Sequence, residues 1–218
     1  MKKISPMLIA SPLFAHIPQA EFPRLLQSLT ITTKTYQKDE HILVEGAFVN
    51  MLNLLLTGKV LIQQEDIFGN TTIISKVSAG DLFAESYVCG NVSHSPVSVV
   101  AAEDTQLLLI DYQDILFTLD NHYHVQLIKN ILQIIAEKNI KLVQRMSFIT
   151  KRTIREKVLA YLSAISKQKN SASFTIPYNR QELADFLAVD RSALSKELGK
   201  LKKEGFLTFK KSQFQLFY

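Results

Sequence analysis

Side chains that can read nucleic-acid bases recur at helical spacing near the end of the chain. Projected at 100° per residue, one side of a predicted helix is polar and basic: Arg191, Ser192, Ser195, Lys196, Gly199, Lys202 and Lys203. An arginine can form a bidentate contact with guanine worth ~1–3 kcal/mol of discrimination, and Arg191 lies in the first turn of this helix. Lys196 could contact a base or a phosphate, and the serines are small enough to allow close approach to DNA.

Two capped helices separated by a tight turn would position these side chains. Asn179, with Glu182 three residues later, has the spacing of a capping box. Asp190 follows a turn at 188–189 and predicts a second helix, which Gly205 ends. Because apolar residues fall on the opposite side of each helix, we expect the pair to pack together as a helix-turn-helix.

The rest of the chain offers no comparable pattern for catalysis or metal binding. It has no Ser/His/Asp order and no phosphate-binding glycine loop, so we expect no enzyme and no catalytic residue. Cys89 is the single cysteine, which excludes an intrachain disulfide and a cysteine-ligated iron–sulfur cluster. His122 and His124 are two residues apart and would point to different helix faces, so we expect neither a metal site nor haem.

The charge distribution also favours a nucleic-acid partner. The residues from Lys151 onward include 14 Lys or Arg and 6 Asp or Glu, a net charge of +8; the preceding residues include 11 and 14, a net charge of −3. A basic module attached to an acidic one is typical of nucleic-acid binding. A lysine-rich solvated surface would have the same composition, so charge alone leaves both interpretations open.

The first half of the chain predicts mainly short strands. Residues 11–29 have helical spacing of apolar residues and predict one helix, but the next region holds five of the seven glycines at intervals of 10 to 12 residues. Between these glycines lie five strand-like runs and a predicted hairpin tip at 68–70: 51–56, 60–63, 71–77, 97–101 and 106–110. This spacing is typical of an all-β sandwich or barrel.

A long helix is predicted from Asn121 to Ile149, where Gly and Pro are absent. Apolar residues recur in it every three or four positions, with one polar residue, Asn139, completing the series; this is the spacing of a coiled-coil seam. We call the following residues the seam residues: Val125, Ile128, Leu132, Ile135, Asn139, Leu142 and Met146. The sequence allows two interpretations: a dimer seam, which the persistence of the repeat favours, or packing against the chain's own β-domain.

The whole chain resembles the CRP/FNR transcription regulators. Gly80 to Glu85 followed by Val97 to Ala102 resembles the family's effector-pocket signature, and Arg180 to Ala184 with Val189 to Ser192 resembles its DNA-binding signature. The resemblance implies an α+β fold with three parts: a jelly-roll-like β-roll sensor domain (1–120), a dimerisation helix (121–149) and a winged helix-turn-helix domain (150–218). It implies base contacts from Arg191, Ser192 and Lys196 and a wing at 206–218. The full predicted DNA-binding set is Arg180, Arg191, Ser192, Ser195, Lys196, Lys202, Lys210 and Lys211.

The same resemblance implies an effector site in the β-roll. Its predicted members are Ala84, Glu85, Ser86, Tyr87, Ser95, Pro96 and Leu132. Family members that bind cyclic AMP place an Arg-Ser pair against the phosphate, and the aligned residues here are Ser95-Pro96. Because serine cannot supply the charge-assisted, forked contact of arginine, we expect an effector other than cyclic AMP.

These observations predict a cytoplasmic bacterial regulator that acts as a homodimer on two-fold symmetric DNA, with RNA polymerase as a further partner. No membrane association is expected, because the apolar runs are too short to span a bilayer. No signal peptide is expected either, because prolines interrupt the N-terminal apolar run. The alternative is a protein-interaction module whose basic C-terminal region has no sequence-specific DNA binding.

Overall fold

The computed structural model describes residues 6–117 and 122–217, with the side chain of residue 122 left out. The chain divides into two compact units, and the boundary along the chain falls inside a long helix, between Glu137 and Lys138. The predicted α+β class is confirmed. Whereas the sequence treats the long helix as a separate segment, the structure divides its residues between the two units.

The first unit is built on two four-stranded antiparallel sheets. Their strand orders are β1-β8-β3-β6 and β2-β7-β4-β5. The strands are β1 (Ile31–Tyr36), β2 (His41–Leu43), β3 (Met51–Thr57), β4 (Lys59–Glu65), β5 (Thr71–Ser78), β6 (Leu82–Phe83), β7 (Ser98–Ala101) and β8 (Thr105–Asp111). The helices are α1 (Pro6–Ala10), α2 (Phe22–Gln27), α3 (Glu85–Cys89), α4 (Tyr112–Phe117) and α5 (His122–Ile149), the last of which continues into the second unit.

Glycine and turn residues connect these strands as the sequence predicts. All five strand-like runs form strands, and Glu65 pairs with Thr71 across the predicted hairpin tip. Gly58, between β3 and β4, has a φ of 86°, and a Cβ atom there would lie 2.6 Å from the Asp104 carbonyl oxygen. Only glycine fits that position, because any side chain would collide with the backbone of the neighbouring loop.

The core of this unit follows from the alternation of side chains along β3. Leu52 and Leu54 pack with the helices, whereas Leu55 faces the interior between the sheets. Successive strand residues point to opposite faces, so an uninterrupted apolar strand can serve both clusters. From α5, Leu127 (0 % exposed) and Ile131 (3 %) enter the helix-side cluster.

The single helix predicted over residues 11–29 is wrong. A 3-10 turn at Pro12–Phe14 is followed by His16 with a φ of 63°, a second 3-10 turn at Gln19–Glu21 and then α2. Pro18 lacks the N–H that a continuous helix needs and its ring excludes the preceding turn. The apolar residues that suggested a helix are nevertheless core residues, since Phe14 and Phe22 are buried and their rings lie 5.4 Å apart.

The seam residues divide between two environments on α5. Ile128 and Ile135 pack partly on the core of the first unit. The side chains of Leu132 (62 %), Leu142 (58 %) and Met146 (48 %) are exposed, as are Val125 and Asn139. On the buried side, Asn130 Nδ2 donates to the carbonyl oxygens of Leu13 and Ala15, both at 2.8 Å. The helix is thus fixed to its own unit by one side, and it presents apolar residues on another.

The second unit contains the last turns of α5, three further helices and a small sheet. These elements are α6 (Ile154–Lys169), β9 (Ser173–Thr175), α7 (Arg180–Leu187), α8 (Arg191–Lys203), β10 (Leu207–Lys210) and β11 (Gln213–Leu216). The sheet is antiparallel with the order β10-β11-β9. Thr153 and Glu156 form a capping box at the start of α6, so local sequence fixes where this helix begins.

Candidate nucleic-acid interface

Local capping positions α7 and α8. Asn179 Oδ1 accepts from the Glu182 N–H at 3.0 Å, and Glu182 Oε2 accepts from the Asn179 N–H at 2.9 Å. Ala188 closes α7 in the left-handed region with a φ of 50°. Asp190 Oδ1 then accepts from the Ala193 N–H at 2.8 Å and begins α8. The predicted capping box, turn and second cap are all confirmed.

The two faces of α8 have opposite character. Leu194, Leu198 and Leu201 are each 0 % exposed and pack in the core of the second unit. The predicted contact residues on the other face are all exposed: Arg191, Ser192, Ser195, Lys196 and Lys202. Because three buried leucines fix the rotation of the helix about its axis, the polar face is held towards solvent.

Asp190 also organises the first turn of α8. Its Oδ1 accepts a hydrogen bond from the Ser192 hydroxyl at 2.5 Å. This bond, followed by the backbone bond from Ala193, lowers the pKa of the Asp190 carboxyl. The Ser192 hydroxyl therefore donates to its own helix cap, and Arg191 is the long cationic side chain of this turn.

The hairpin of β10 and β11 gathers basic residues beside α8. The Phe209 ring has Arg180 Cζ 5.0 Å from its centroid and Lys202 Nζ 5.7 Å from it. Burial, and to a lesser extent the nearby charge of Arg191, lower the pKa of Arg180, which nevertheless stays protonated at neutral pH. Phe209 thus holds one cation from α7 and one from α8, each within range of a cation–π attraction.

The tip of the same hairpin carries two more exposed cations, Lys210 and Lys211. Lys211 has a φ of 54°, a conformation in which a residue with a Cβ is strained. The structure therefore brings the eight predicted contact residues into one unit, on α7, α8 and the hairpin.

An ion-pair cluster joins the end of α8 to α6. Arg155 Nη2 lies 2.6 Å from Glu204 Oε2, and Arg155 Nη1 lies 3.7 Å from Glu197 Oε1. The guanidinium also lies 4.9 Å from the centroid of the Phe206 ring. The hydrogen bond from Arg155 lowers the pKa of Glu204. These contacts hold the C-terminal end of α8 without involving its exposed polar face.

Backbone and side-chain packing bring together part of the predicted effector set in the first unit. Ala84 has a φ of 60° and begins α3, so Glu85, Ser86 and Tyr87 follow it on one turn. Glu85 is only 3 % exposed, and its Oε1 accepts from the Ser86 hydroxyl at 3.4 Å. Desolvation, and next the Glu85 charge, raise the pKa of Tyr87.

Ser95 has a local structural role in the same unit. It is 2 % exposed, its hydroxyl donates to the Val97 carbonyl oxygen at 2.7 Å, and it accepts from the Val97 N–H at 3.3 Å. Pro96 is exposed, and Leu132 lies on the exposed side of α5. The hydroxyl at the position aligned with the arginine of cyclic-AMP-binding proteins is thus already hydrogen-bonded to its own loop.

Two family models match the chain, in the order of its two units. The cyclic nucleotide-binding domain matches residues 33–122, and the Crp-like helix-turn-helix domain matches residues 156–216. The first covers the two sheets except for the first two residues of β1, and the second covers α7, α8 and the hairpin of β10 and β11. The chain belongs to the CRP/FNR family of transcription regulators. Its second unit is therefore a DNA-binding helix-turn-helix domain.

Solved structures share the fold of this CRP/FNR regulator over most of its length. CprK complexed with OCPA is 14% identical over 92% of this chain and 92% of that chain, with a TM-score of 0.67. CLP, a c-di-GMP responsive global regulator of Xanthomonas campestris, is 16% identical over 92% of this chain and 100% of its own, with a TM-score of 0.60. FixK2 from Bradyrhizobium japonicum is 21% identical over 87% of this chain and 94% of its own, with a TM-score of 0.53. No curated protein sequence matches the chain.

The part of the regulator that the structure describes contains neither a membrane-spanning helix nor a cluster of metal-binding side chains. In residues 6–117 and 122–217, no helix is long and apolar enough to cross a membrane. Within the same ranges, no three His, Cys, Asp or Glu residues lie close enough together to hold a metal ion.

Two residues that contact the helix-turn-helix of this regulator could not be assigned that contact from the sequence. Phe209 was predicted only as part of the wing, and Arg145 only as a residue of the long helix. Arg145 Nε donates to the Phe186 carbonyl oxygen at 2.9 Å, 41 residues further along the chain. Because Arg145 and its acceptor are so far apart along the chain, no spacing in the sequence relates the two.

Proposed function

We propose that this CRP/FNR regulator binds DNA sequence-specifically as a homodimer, with α8 as the recognition helix in the major groove. The observation that carries the proposal is the exposed polar face of α8, fixed by three fully buried leucines on the opposite face. Arg191 and Lys196 would contact base edges, with Ser192 and Ser195 allowing close approach. Arg180, Lys202, Lys210 and Lys211 would contact phosphates and set the position of the domain on the duplex.

The exposed seam residues support a two-fold symmetric dimer. Leu132, Leu142 and Met146 are 48 to 62 % exposed, which is unusual for apolar residues that recur on one side of a helix. Pairing α5 with its copy would bury them, and the isologous contact would place Asn139 opposite its own copy. The operator would then be an inverted repeat, with half-sites about one helical turn apart.

Regulation by a small molecule other than cyclic AMP is part of the proposal. The effector would bind near Glu85, Tyr87 and Leu132, and it would shift the regulator only if it bound the DNA-competent state more tightly than the other state. The hydrogen bonds of Ser95 to Val97 support the exclusion of cyclic AMP, since this hydroxyl is engaged and carries no positive charge. RNA polymerase would be the protein partner, in a bacterial cytoplasm.

Two substitutions test the proposal and separate base reading from phosphate binding. For Arg191→Ala, the affinity of the dimer for a selected operator should fall by about thirtyfold or more and approach that for random DNA, since each of the two half-sites loses a bidentate contact worth ~1–3 kcal/mol. For the matched control Lys211→Ala, both affinities should fall together, and the slope of log K against log salt should decrease by about 2, since each protomer loses one phosphate contact. Equal losses on both DNAs for Arg191→Ala would contradict base reading. Sequence-independent binding by the unmodified regulator would favour the protein-interaction alternative.

A further inference from the structure

The C-terminal end of α7 is held by two cations from other helices. Arg145, on α5, donates from Nε to the Phe186 carbonyl oxygen at 2.9 Å and from Nη2 to the Asp185 carbonyl oxygen at 3.0 Å. Lys157, on α6, donates from Nζ to the carbonyl oxygens of the next two residues, both at 3.3 Å. The last four carbonyl groups at the C-terminal end of an α-helix have no N–H donor within the helix and need partners from elsewhere. Here, the carbonyl groups of residues 185 to 188, which are the last three of α7 and its C-cap residue, are each bonded to a positive charge.

Arg145 differs from Lys157 in where its own backbone lies. Arg145 is in the last turns of α5, one residue from the seam residue Met146 and three from Leu142. Lys157 is on α6, which belongs to the helix-turn-helix domain itself. Both cations compensate the dipole of α7. Arg145 additionally connects the helix that carries the seam to the first helix of the DNA-binding motif.

The contact of Arg145 with α7 restrains the orientation of that helix as well as its distance from the end of α5. The two hydrogen bonds leave different nitrogens of one planar guanidinium and reach successive carbonyl groups, so the fork has one orientation relative to the axis of α7. The guanidinium carbon also lies 5.5 Å from the centroid of the Phe186 ring. Phe148, from the same end of α5, packs on Phe186 with centroids 6.3 Å apart and on Tyr161 with centroids 5.7 Å apart.

We propose that Arg145 is a positioning residue that sets the direction of the helix-turn-helix relative to the end of α5, and thereby the half-site spacing that the dimer accepts. The inference rests on the proposed function, because it requires two domains bound to one operator. One base pair of spacing changes the rotation between half-sites by about 34° and their separation by about 3.4 Å. A domain held rigidly on α5 would reject such a change, whereas a loosely held one would follow it.

The test is a spacing series measured with full-length protein. Duplexes carry the selected half-sites at the selected spacing and at one and two base pairs shorter or longer, and a further duplex carries a single half-site. For Arg145→Met, which keeps an apolar stem of similar length but removes the donors, affinity at the selected spacing should fall by at least about tenfold, because each protomer loses two charge-assisted hydrogen bonds that hold its domain in the binding orientation. Its spacing profile should be flatter, and its affinity for the single half-site should be unchanged.

Lys157→Met is the matched control, because it removes a cation from the same helix end without separating α7 from α5. It should lower the melting temperature but keep the spacing profile of the unmodified regulator. Arg145→Lys, which retains the charge but loses the fork, should give an intermediate profile and guards against a folding defect. An Arg145→Met profile as sharp as that of the unmodified regulator would overturn the inference. If the unmodified regulator itself bound without dependence on spacing, the proposed dimeric operator would fail instead.

Discussion

At the scale of single residues, side chains that bind the protein backbone fix the two helices that carry the proposed DNA-contacting surface. Asn179 and Asp190 satisfy N–H groups at the starts of α7 and α8, and Arg145 satisfies carbonyl groups at the end of α7. The two caps could be predicted because each acts within three residues of itself. The contact of Arg145 and the packing of Arg180 on Phe209 could not, since the partners are distant in sequence and meet only after folding.

Removing the Asn179 cap tests the local part of this account. For Asn179→Ala, the free energy of unfolding of the second unit should fall by about 1 kcal/mol, because the Glu182 N–H loses its acceptor. Asn179→Ser should be close to neutral, as serine caps comparably well. Denaturant unfolding measures both, and an alanine variant as stable as the unmodified regulator would show that the box contributes nothing.

A buried histidine, His124, should make the free energy of unfolding of the first unit depend on pH. His124 is 0 % exposed, and its Nε2 lies 3.2 Å from Ser28 Oγ. Because the Ser28 hydroxyl donates to the Leu25 carbonyl oxygen at 2.7 Å, the imidazole donates its Nε2–H to the serine oxygen. Its Nδ1 is buried without a hydrogen-bond partner among the described residues. Burial lowers the pKa of His124, and the charge of Asp114 opposes this shift only in part.

We therefore expect acidification to destabilise the first unit. In the unfolded chain a histidine takes up its proton near pH 6.5, whereas the folded imidazole does so only at lower pH. The stability due to neutral His124 is therefore fully present above about pH 6.5 and decreases as the pH falls below it. Unfolding free energies measured between pH 7.5 and 5.5 should show a flatter dependence for His124→Gln than for the exposed control His41→Gln. Identical slopes would contradict this origin.

At the scale of elements, α5 has the most demanding role, because one side packs on the first unit and another remains exposed. The periodic repeat correctly indicated a helix, but it ranked Ile128 and Leu132 equally, although only the first packs on the core. Periodicity also failed at residues 11–29, where prolines break the helix. It missed β1, whose burial does not alternate and whose partner strand β8 lies about 70 residues later.

Charge placed on the exposed side of α5 should separate the dimer. For Leu142→Asp, the dimer dissociation constant should rise by at least about a hundredfold, since a symmetric interface would bury an unpaired carboxylate from each protomer. The secondary structure should be unchanged, because this side chain is 58 % exposed within the chain. Lys141→Asp, also an exposed residue of α5, is the matched control. Sedimentation equilibrium distinguishes them, and a dimer equally stable in both variants would exclude this seam.

At the scale of the whole molecule, charge and fold divide the chain in the same way. The residues from Lys151 onward have a net charge of +8 and the preceding residues −3, and the helix-turn-helix match begins at residue 156. Composition could therefore indicate which end meets an anionic partner. It could not indicate the effector, because recognition of a small molecule depends on how a few side chains of the β-roll are arranged around it.

The most direct test of the central claim is selection of bound duplexes from a random-sequence pool, with purified protein at moderate salt and no added ligand. We expect enrichment of an inverted repeat whose half-sites lie about one helical turn apart, with guanine at the position contacted by Arg191. Salt-sensitive binding without enrichment would mean that the unliganded state is not competent for sequence-specific binding, and the selection would be repeated with candidate effectors. Absence of binding to any duplex, with or without them, would contradict the account.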